Sequence, residues 1–435
     1  MRTLLRLFLC AMLASLPALL GCTDRNKPND VGDLKPIRLW VAPNQAEERF
    51  WTIAVQRWNQ SGLGRRVEFT TIPATGGSEE AILTALVSGS EPDLSANIFP
   101  GFAAQLANLG QLQDLSGMPG FEDILTRRQL KPMMRDLAIS GHDHLMPLYF
   151  SPMLIWWRGD ILARLGVPEV PKTFEDVYEL SRRRAEQERG LGMQVLAGRE
   201  WRSRWYDYIA YYYACSGGAP YILDRQAQYE NQASLEALNF IRTMFQNRWT
   251  APDFDTDDPL PRGLVAGAAR GAWDISYYQQ NHPDTLKHIV IGPMVRSAAS
   301  QQAHPGKAHT FADSKGIVLF KTSRLQPQAL AFLAWVFSSD DISLLWFKET
   351  GMPPARGDLM ANPIFSDFYR ANPLAAQYAA HVDVGVPTAA IEETIDVNKI
   401  MSAQMVEAML FNARPVPQVA AEAARATTAL LRRSQ

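Results

Sequence analysis

The chain has 435 residues, with 43 Lys plus Arg against 45 Asp plus Glu, and is 47% hydrophobic and 20% charged. This composition excludes an intrinsically disordered chain, and the length exceeds what one hydrophobic core normally serves, so two domains are expected. The net charge is minus 2 and becomes minus 4 when Arg2 and Arg6 leave with the leader, so there is no basic surplus for neutralising phosphates and nucleic acid is excluded as a partner.

The start of the chain points to export. Arg2 and Arg6 flank the beginning of an apolar segment at 4–20, which has signal-peptide length and is too short for a confident membrane span. It ends in Leu19-Leu20-Gly21-Cys22, which resembles the lipobox of bacterial lipoproteins. That resemblance implies a signal peptide at 1–21 and lipidation of Cys22. The location it implies is periplasmic or cell-surface, anchored to the membrane; the alternative is a plain signal peptide with an incidental cysteine. Residues 23–36 are polar with two prolines and read as a flexible tether. The other cysteines are Cys10, in the leader, and Cys215, so no intrachain disulfide is expected after processing.

Residues 37–41 form a short apolar strand, and Asn44 with Glu47 three positions on opens a helix whose Phe50, Ala54 and Trp58 share a face. Residues 67–72 alternate as a second strand. Ser78 is placed to cap a helix at 81–87 that stops near Gly89. A strand at 92–98 and a helix at 102–109 follow. Strand and helix alternating in units of about 30 residues predict an α/β lobe with a mostly parallel sheet, with ligand loops at the strand carboxyl ends: 43–45, 74–77 and 97–100.

Next comes a polar turn, His142-Asp143-His144, feeding an apolar run with Pro147 and Pro152. Those prolines suit a segment passing from one sheet to another rather than a central strand. Residues 154–157 form a compact buried strand. Thr173 and Asp176 form an approximate capping box, with Phe174 and Val177 starting the apolar face of the next helix. An aromatic block runs from Trp201 and Trp205 through Tyr213 to Gly217-Gly218, and a helix at 234–248 follows it. Pro327 then starts a helix whose Leu330, Leu333, Ala334 and Phe337 face the core.

This order of parts resembles the extracellular solute-binding proteins of ABC importers, in the large sugar-binding family that includes the maltose-type receptors. The resemblance rests on Pro92-Asp93, the crossover strand at 145–149, the strand and helix at 154–166, Pro171-Lys172-Thr173, and the aromatic helix ending at Gly217-Gly218. It continues through 264–274, the return strand at 289–294, re-entry at 313–320 and the loop Gly351-Met352-Pro353-Pro354-Ala355-Arg356. It implies a two-lobed, type II periplasmic-binding-protein fold in which each lobe is a mostly parallel sheet flanked by helices, with the ligand cleft between the lobes. The expected N-terminal lobe is 37–149 with 295–342, and the C-terminal lobe is 150–294 with 343–435.

The implied function is capture of a small polar solute, a mono- or oligosaccharide, by hinge closure of a monomeric receptor that delivers it to an ABC permease. The competing readings are an exported glycoside-processing enzyme and a ligand sensor on the same scaffold. Flat aromatics bury the apolar faces of a sugar ring while amides and charged groups bind its edges. The resemblance therefore marks Phe150, Trp201, Trp205 and Trp273 as stacking candidates, with Trp40 beside them, and Asn44, Gln45, Asn97, Asp274 and Arg356 as polar partners. Asp313-Ser314-Lys315-Gly316 stands where the family often has Gly-Gly, and Phe150 where Tyr is frequent, which changes the hydrogen bonds offered.

Neither metal, cofactor nor catalysis is expected. His142 and His144 have metal-ligand chemistry but nothing nearby completes a third ligand. The acidic run at 253–258 lacks the glycine and glutamate of a calcium loop. No Gly-x-Ser-x-Gly, His-Glu-x-x-His or phosphate-loop motif occurs.

Overall fold

The first strand, β1 (Ile37–Val41), buries Ile37, Leu39 and Val41, as its alternation requires. Asn44 then caps the helix Gln45–Ser61: its side chain accepts the Glu47 amide at 2.9 Å while its Nδ2 donates to Glu47 Oε1 at 2.9 Å. Phe50, Ala54 and Trp58 are buried on the face expected of them. β2 (Val67–Thr71) pairs parallel with β1, as does β3 (Leu94–Ile98). Ser78 is the first residue of the helix Ser78–Ser88 rather than its cap, and its hydroxyl accepts from Asn97 Nδ2 at 2.9 Å. Gly89 closes that helix in the left-handed conformation. These elements belong to a computed structural model that describes residues 35–73, 77–196 and 201–433. The leader, Cys22, most of the tether and positions 74–76 of the expected 74–77 loop lie outside the described residues.

β4 (Met146–Pro152) ladders with the return strand β11 (Thr310–Leu319), and its other side is bridged around Leu148–Phe150 by the loop at 353–355, so Pro147 and Pro152 stand outside those bonds. Met153 alone separates it from β5 (Leu154–Arg158), which belongs to a second sheet. That sheet has the order β10-β5-β9-β6, with β6 (Leu191–Gln194), β9 (Val265–Arg270) and β10 (Ile289–Gly292). A small hairpin of β7 (Ile222–Leu223) and β8 (Gln226–Ala227) stands apart. The return strand β11 (Thr310–Leu319) then brings the chain back to the first sheet, where β12 (Gly385–Val386) pairs with its start.

Both sheets are mixed: parallel pairings prevail in the first and antiparallel ones in the second. β11 comes back from the opposite direction and so lies antiparallel to β3 and β4, and β5 is flanked by antiparallel β9 and β10. Together they form the expected two open sheets, each flanked by helices, of a two-lobed periplasmic-binding-protein fold. The ladder between β11 and β4 shifts register between Lys315 and Gly316. A Cβ at Gly316 would lie 2.5 Å from the Met146 carbonyl oxygen, so only glycine allows this approach.

The helix Asp340–Thr350, mostly beyond the expected lobe boundary at 342, packs on Gln45–Ser61 of the first sheet, where Trp346 meets Phe50 at 4.9 Å. The loop after it stays there too, since Phe150 N donates to Pro353 O, Ala355 N to Leu148 O and Gly357 N to Arg128 O.

Candidate functional site

The aromatic helix Trp201–Ser216 carries the decisive side chains. Tyr208 and Tyr211–Tyr213 are buried in the second hydrophobic cluster, whereas Trp201, Trp205 and Tyr206, at its amino end, are only partly covered. Those three line a cavity of about 400 Å³, and Lys399 Nζ sits 5.9 Å from the Trp201 ring. Phe311 on β11 continues the aromatic wall, meeting Trp205 at 5.6 Å and Tyr206 at 5.0 Å edge to face.

The polar wall is also on β11. Asp313 and Lys315, two apart on one strand, both line the cavity. Asp313 Oδ2 accepts from Tyr149 OH at 2.8 Å, and Lys315 Nζ donates to Asn97 Oδ1 at 2.8 Å. Glu47 lies behind this wall; burial pushes its carboxyl up to about 7, against the Asn44 hydrogen bond and the Lys315 charge, which favour ionisation. Glu79 and Phe99 come to the cavity from the first sheet's helices and loops.

The segment after β12 supplies the remaining side, with Thr388, Thr394, Ile395 and Asn398. It touches the first-sheet side directly: Asn108 Nδ2 donates to Glu392 Oε2 at 2.9 Å, and a Cβ at Gly101 would lie 2.5 Å from Thr394 Oγ1. The cavity is thus bounded by parts of both sheets' surroundings, aromatic on one side and hydrogen-bonding on the others. Among the described residues no cluster of three His, Cys, Asp or Glu side chains could hold a metal ion.

Residues 42–341 match the family described as bacterial extracellular solute-binding protein. The chain belongs to that family. Its role is therefore binding for transport rather than catalysis. No curated protein matches this solute-binding protein. Among solved structures, it is similar to the uncharacterized protein lmo0859 from Listeria monocytogenes EGD-e, with a TM-score of 0.80 and 24% identity over 91% of this chain and 99% of that one. It is also similar to a cyclic alpha-maltosyl-1,6-maltose binding protein from Arthrobacter globiformis, with a TM-score of 0.78 and 17% identity over 91% and 99%. The GacH receptor of Streptomyces glaucescens gives 0.74 and 16% over 91% and 98%. At these identities the likeness concerns the fold.

Of the residues expected to bind, the solute-binding protein places Trp201 and Trp205 on the cavity, and Asn97 directly behind it through Lys315. The others lie elsewhere. Asn44 is a helix cap, Gln45 is exposed in a separate surface depression with Arg49 and Glu349, and Trp40 borders another depression beside Pro73. Phe150 is 1% exposed, opposite Ser314 in the ladder, so it backs β11 instead of facing solute. The Trp273 ring packs under Gly271, where a Cβ would sit 2.2 Å from it, and it touches both large hydrophobic clusters. Asp274 pairs with Arg270 at 3.6 Å; burial raises its pKa to about 6, opposed by that guanidinium.

Arg356 is committed to the protein core. Its side chain is 2% exposed and forms a bidentate pair with Asp358, both bonds 2.7 Å, and further bonds to Asp340 and Ser343. His142 pairs with Asp114 at 2.8 Å and His144 bonds the Gln113 carbonyl at 3.2 Å, which leaves both in turn-stabilising roles. The sequence reading missed Glu79, Phe311, Thr388, Thr394 and Asn398. Phe311 had a usable signal, since it precedes Asp313 and Lys315 by even steps on one strand and shares their face.

Proposed function

We propose that this protein captures a small polar solute, a mono- or oligosaccharide, and delivers it to an ABC permease. The observation that carries the reading is the cavity itself: Trp201, Trp205, Tyr206 and Phe311 offer flat apolar surface, and Asp313 and Lys315 offer an acceptor and a donor from the facing strand. A sugar presents both surfaces, apolar C–H faces and hydroxyl edges. In this reading the two lobes, divided near the crossover at 149–150 and at the return into β11, close about the solute. Its contacts to both walls exist only in the closed state, so binding shifts the population towards closure and presents a new surface to the permease. The adjacency of β4 and β11 supports a hinge there, because two crossing strands bonded to each other can twist without separating. Attachment through a lipidated Cys22 and the tether at 23–36 would hold the receptor at the membrane, periplasmic or cell-surface.

Titration calorimetry of the mature soluble form against neutral mono- and oligosaccharides tests the reading, with product analysis of the same samples. Saturable binding with unchanged sugar is expected. Formation of a cleaved or transferred product would overturn it in favour of an enzyme.

A further inference from the structure

Asn398 sits on the helix Thr394–Ile400 one turn beyond Thr394, so both face the cavity. Thr394 has no spare donor there, because its hydroxyl bonds to the carbonyls of Ala389 at 2.9 Å and Ile391 at 2.7 Å. Asn398 is different. It is 6% exposed, its Oδ1 is shielded from solvent, and that oxygen has no hydrogen-bond partner among the described residues. A buried carboxamide oxygen without a donor is unfavourable by the desolvation it has suffered, and proteins rarely retain one without a use. Among the described residues no hydrogen bond fixes which way this amide faces, and rotation of the amide exchanges its oxygen and nitrogen.

We infer that Asn398 is a ligand-binding residue whose carboxamide takes an adjacent pair of hydroxyls on a neutral polyhydroxylated solute. The inference rests on the carbohydrate reading above and makes it more specific. One amide offers an acceptor and a donor side by side, and a hydroxyl is both donor and acceptor, so two neighbouring hydroxyls satisfy Oδ1 and Nδ2 together. An ammonium group would leave Nδ2 facing a donor, and a carboxylate would leave Oδ1 facing an acceptor. The charges around the cavity favour the same class. Among the described residues the lining carries Glu79 and Asp313 against Lys315, which disfavours an anion, and Lys315 already bonds Asn97 and lies beside Glu47.

The test compares the wild type with Asn398→Ala and with Asn398→Leu, which keeps the branched side-chain shape without polar atoms. Thermal shift and calorimetry are run against maltose, trehalose and raffinose, with galacturonate, glucosamine, proline and putrescine as the contrasting probes. The expected result is that a neutral sugar binds the wild type and that its affinity falls ten- to hundredfold in both variants. The unliganded melting temperature should stay unchanged or rise in Asn398→Leu, since no protein hydrogen bond is lost. A sugar that binds wild type and both variants equally overturns the inference and leaves the carbohydrate reading standing. Binding only of galacturonate or glucosamine overturns the inference and leaves the carbohydrate reading standing, whereas binding only of proline or putrescine, or of none of the probes, overturns both. If Asn398→Ala does not fold, Asn398→Leu carries the comparison; failure of both to fold shows that the amide is structural and overturns the inference.

Discussion

Replacing Arg356 by alanine separates a core role from a ligand role. In the structure the guanidinium holds Asp358 through two 2.7 Å bonds, reaches Asp340 and Ser343, and lies 5.7 Å from the Phe365 ring centroid. Arg128 is close enough for its own pKa to fall to about 9, through burial first and Arg356's charge second, so removing Arg356 relieves one repulsion. The larger effect is the opposite one: Asp358 is left buried without its cation, and breaking a buried pair from one side typically costs about 3–5 kcal/mol. Unfolding entropy of about 2.1 cal/mol/K per residue, over a body of roughly 400 residues, converts that into a melting temperature lower by about 4–6 °C. Calorimetric scanning of the unliganded protein reads this shift, and titration below the transition reads affinity. Stability should drop while affinity for whichever sugar binds stays within about twofold. A variant with an unchanged melting temperature and a tenfold weaker complex would refute the core assignment and restore Arg356 to the ligand.

Glu47→Gln should stabilise the protein at alkaline pH. With the folded pKa near 7 against an ordinary 4.5, the folded chain holds this proton more tightly, so stability falls as pH rises from 4.5 through 7. The penalty reaches about 3 kcal/mol above that window; the variant should therefore melt higher than wild type at pH 8 and nearly together with it at pH 4.5, and parallel curves at both would count against the burial argument. Trp205→Ala removes partly covered apolar surface that a bound sugar would bury, on the order of 1.5–3 kcal/mol, so affinity should weaken about ten- to hundredfold. An unaltered titration would move the solute off that ring. Cys22→Ala should release the exported protein from the membrane pellet into the soluble fraction, and a variant still sedimenting with membranes would contradict lipid anchoring there.

Local signals in the sequence translated well into local structure. Asn44 caps its helix, Thr173 and Asp176 form a full capping box, and the Trp201 helix presents its aromatic amino end to the cavity, because each depends on neighbours within a turn. The polar half of the site depends instead on segments more than 300 residues apart: Glu79 near the start of one helix and Asn398 on another meet only through the tertiary fold. Arg356 looked like an exposed loop cation, yet Asp358 two residues later and Asp340 sixteen earlier neutralise it inside the core. Trp273 misled for a related reason. A tryptophan in a ligand loop and one folded back over a nearby glycine look alike in sequence, and only the close approach to Gly271 distinguishes them. The antiparallel pairings lie at β5 and β11, where the chain's passage between sheets reverses strand direction.

The contact between Gly101 and Thr394, at the rim of the cavity, gives the receptor a point of adjustment at a residue that does not itself line the cavity. With no side chain at 101, the helix at Pro100–Asn108 and the segment leading to Asn398 can touch. On the hinge-closure reading proposed above, a methyl group or anything larger there would act as a doorstop, holding the mouth ajar and reducing the population able to grip solute from both sides. Apparent affinity falls in proportion to that population even when every group that meets the cargo is intact. Relatives sharing an identical binding surface could thus be set to scavenge at trace concentrations or to respond only in plenty through the size of one residue that the cargo never touches.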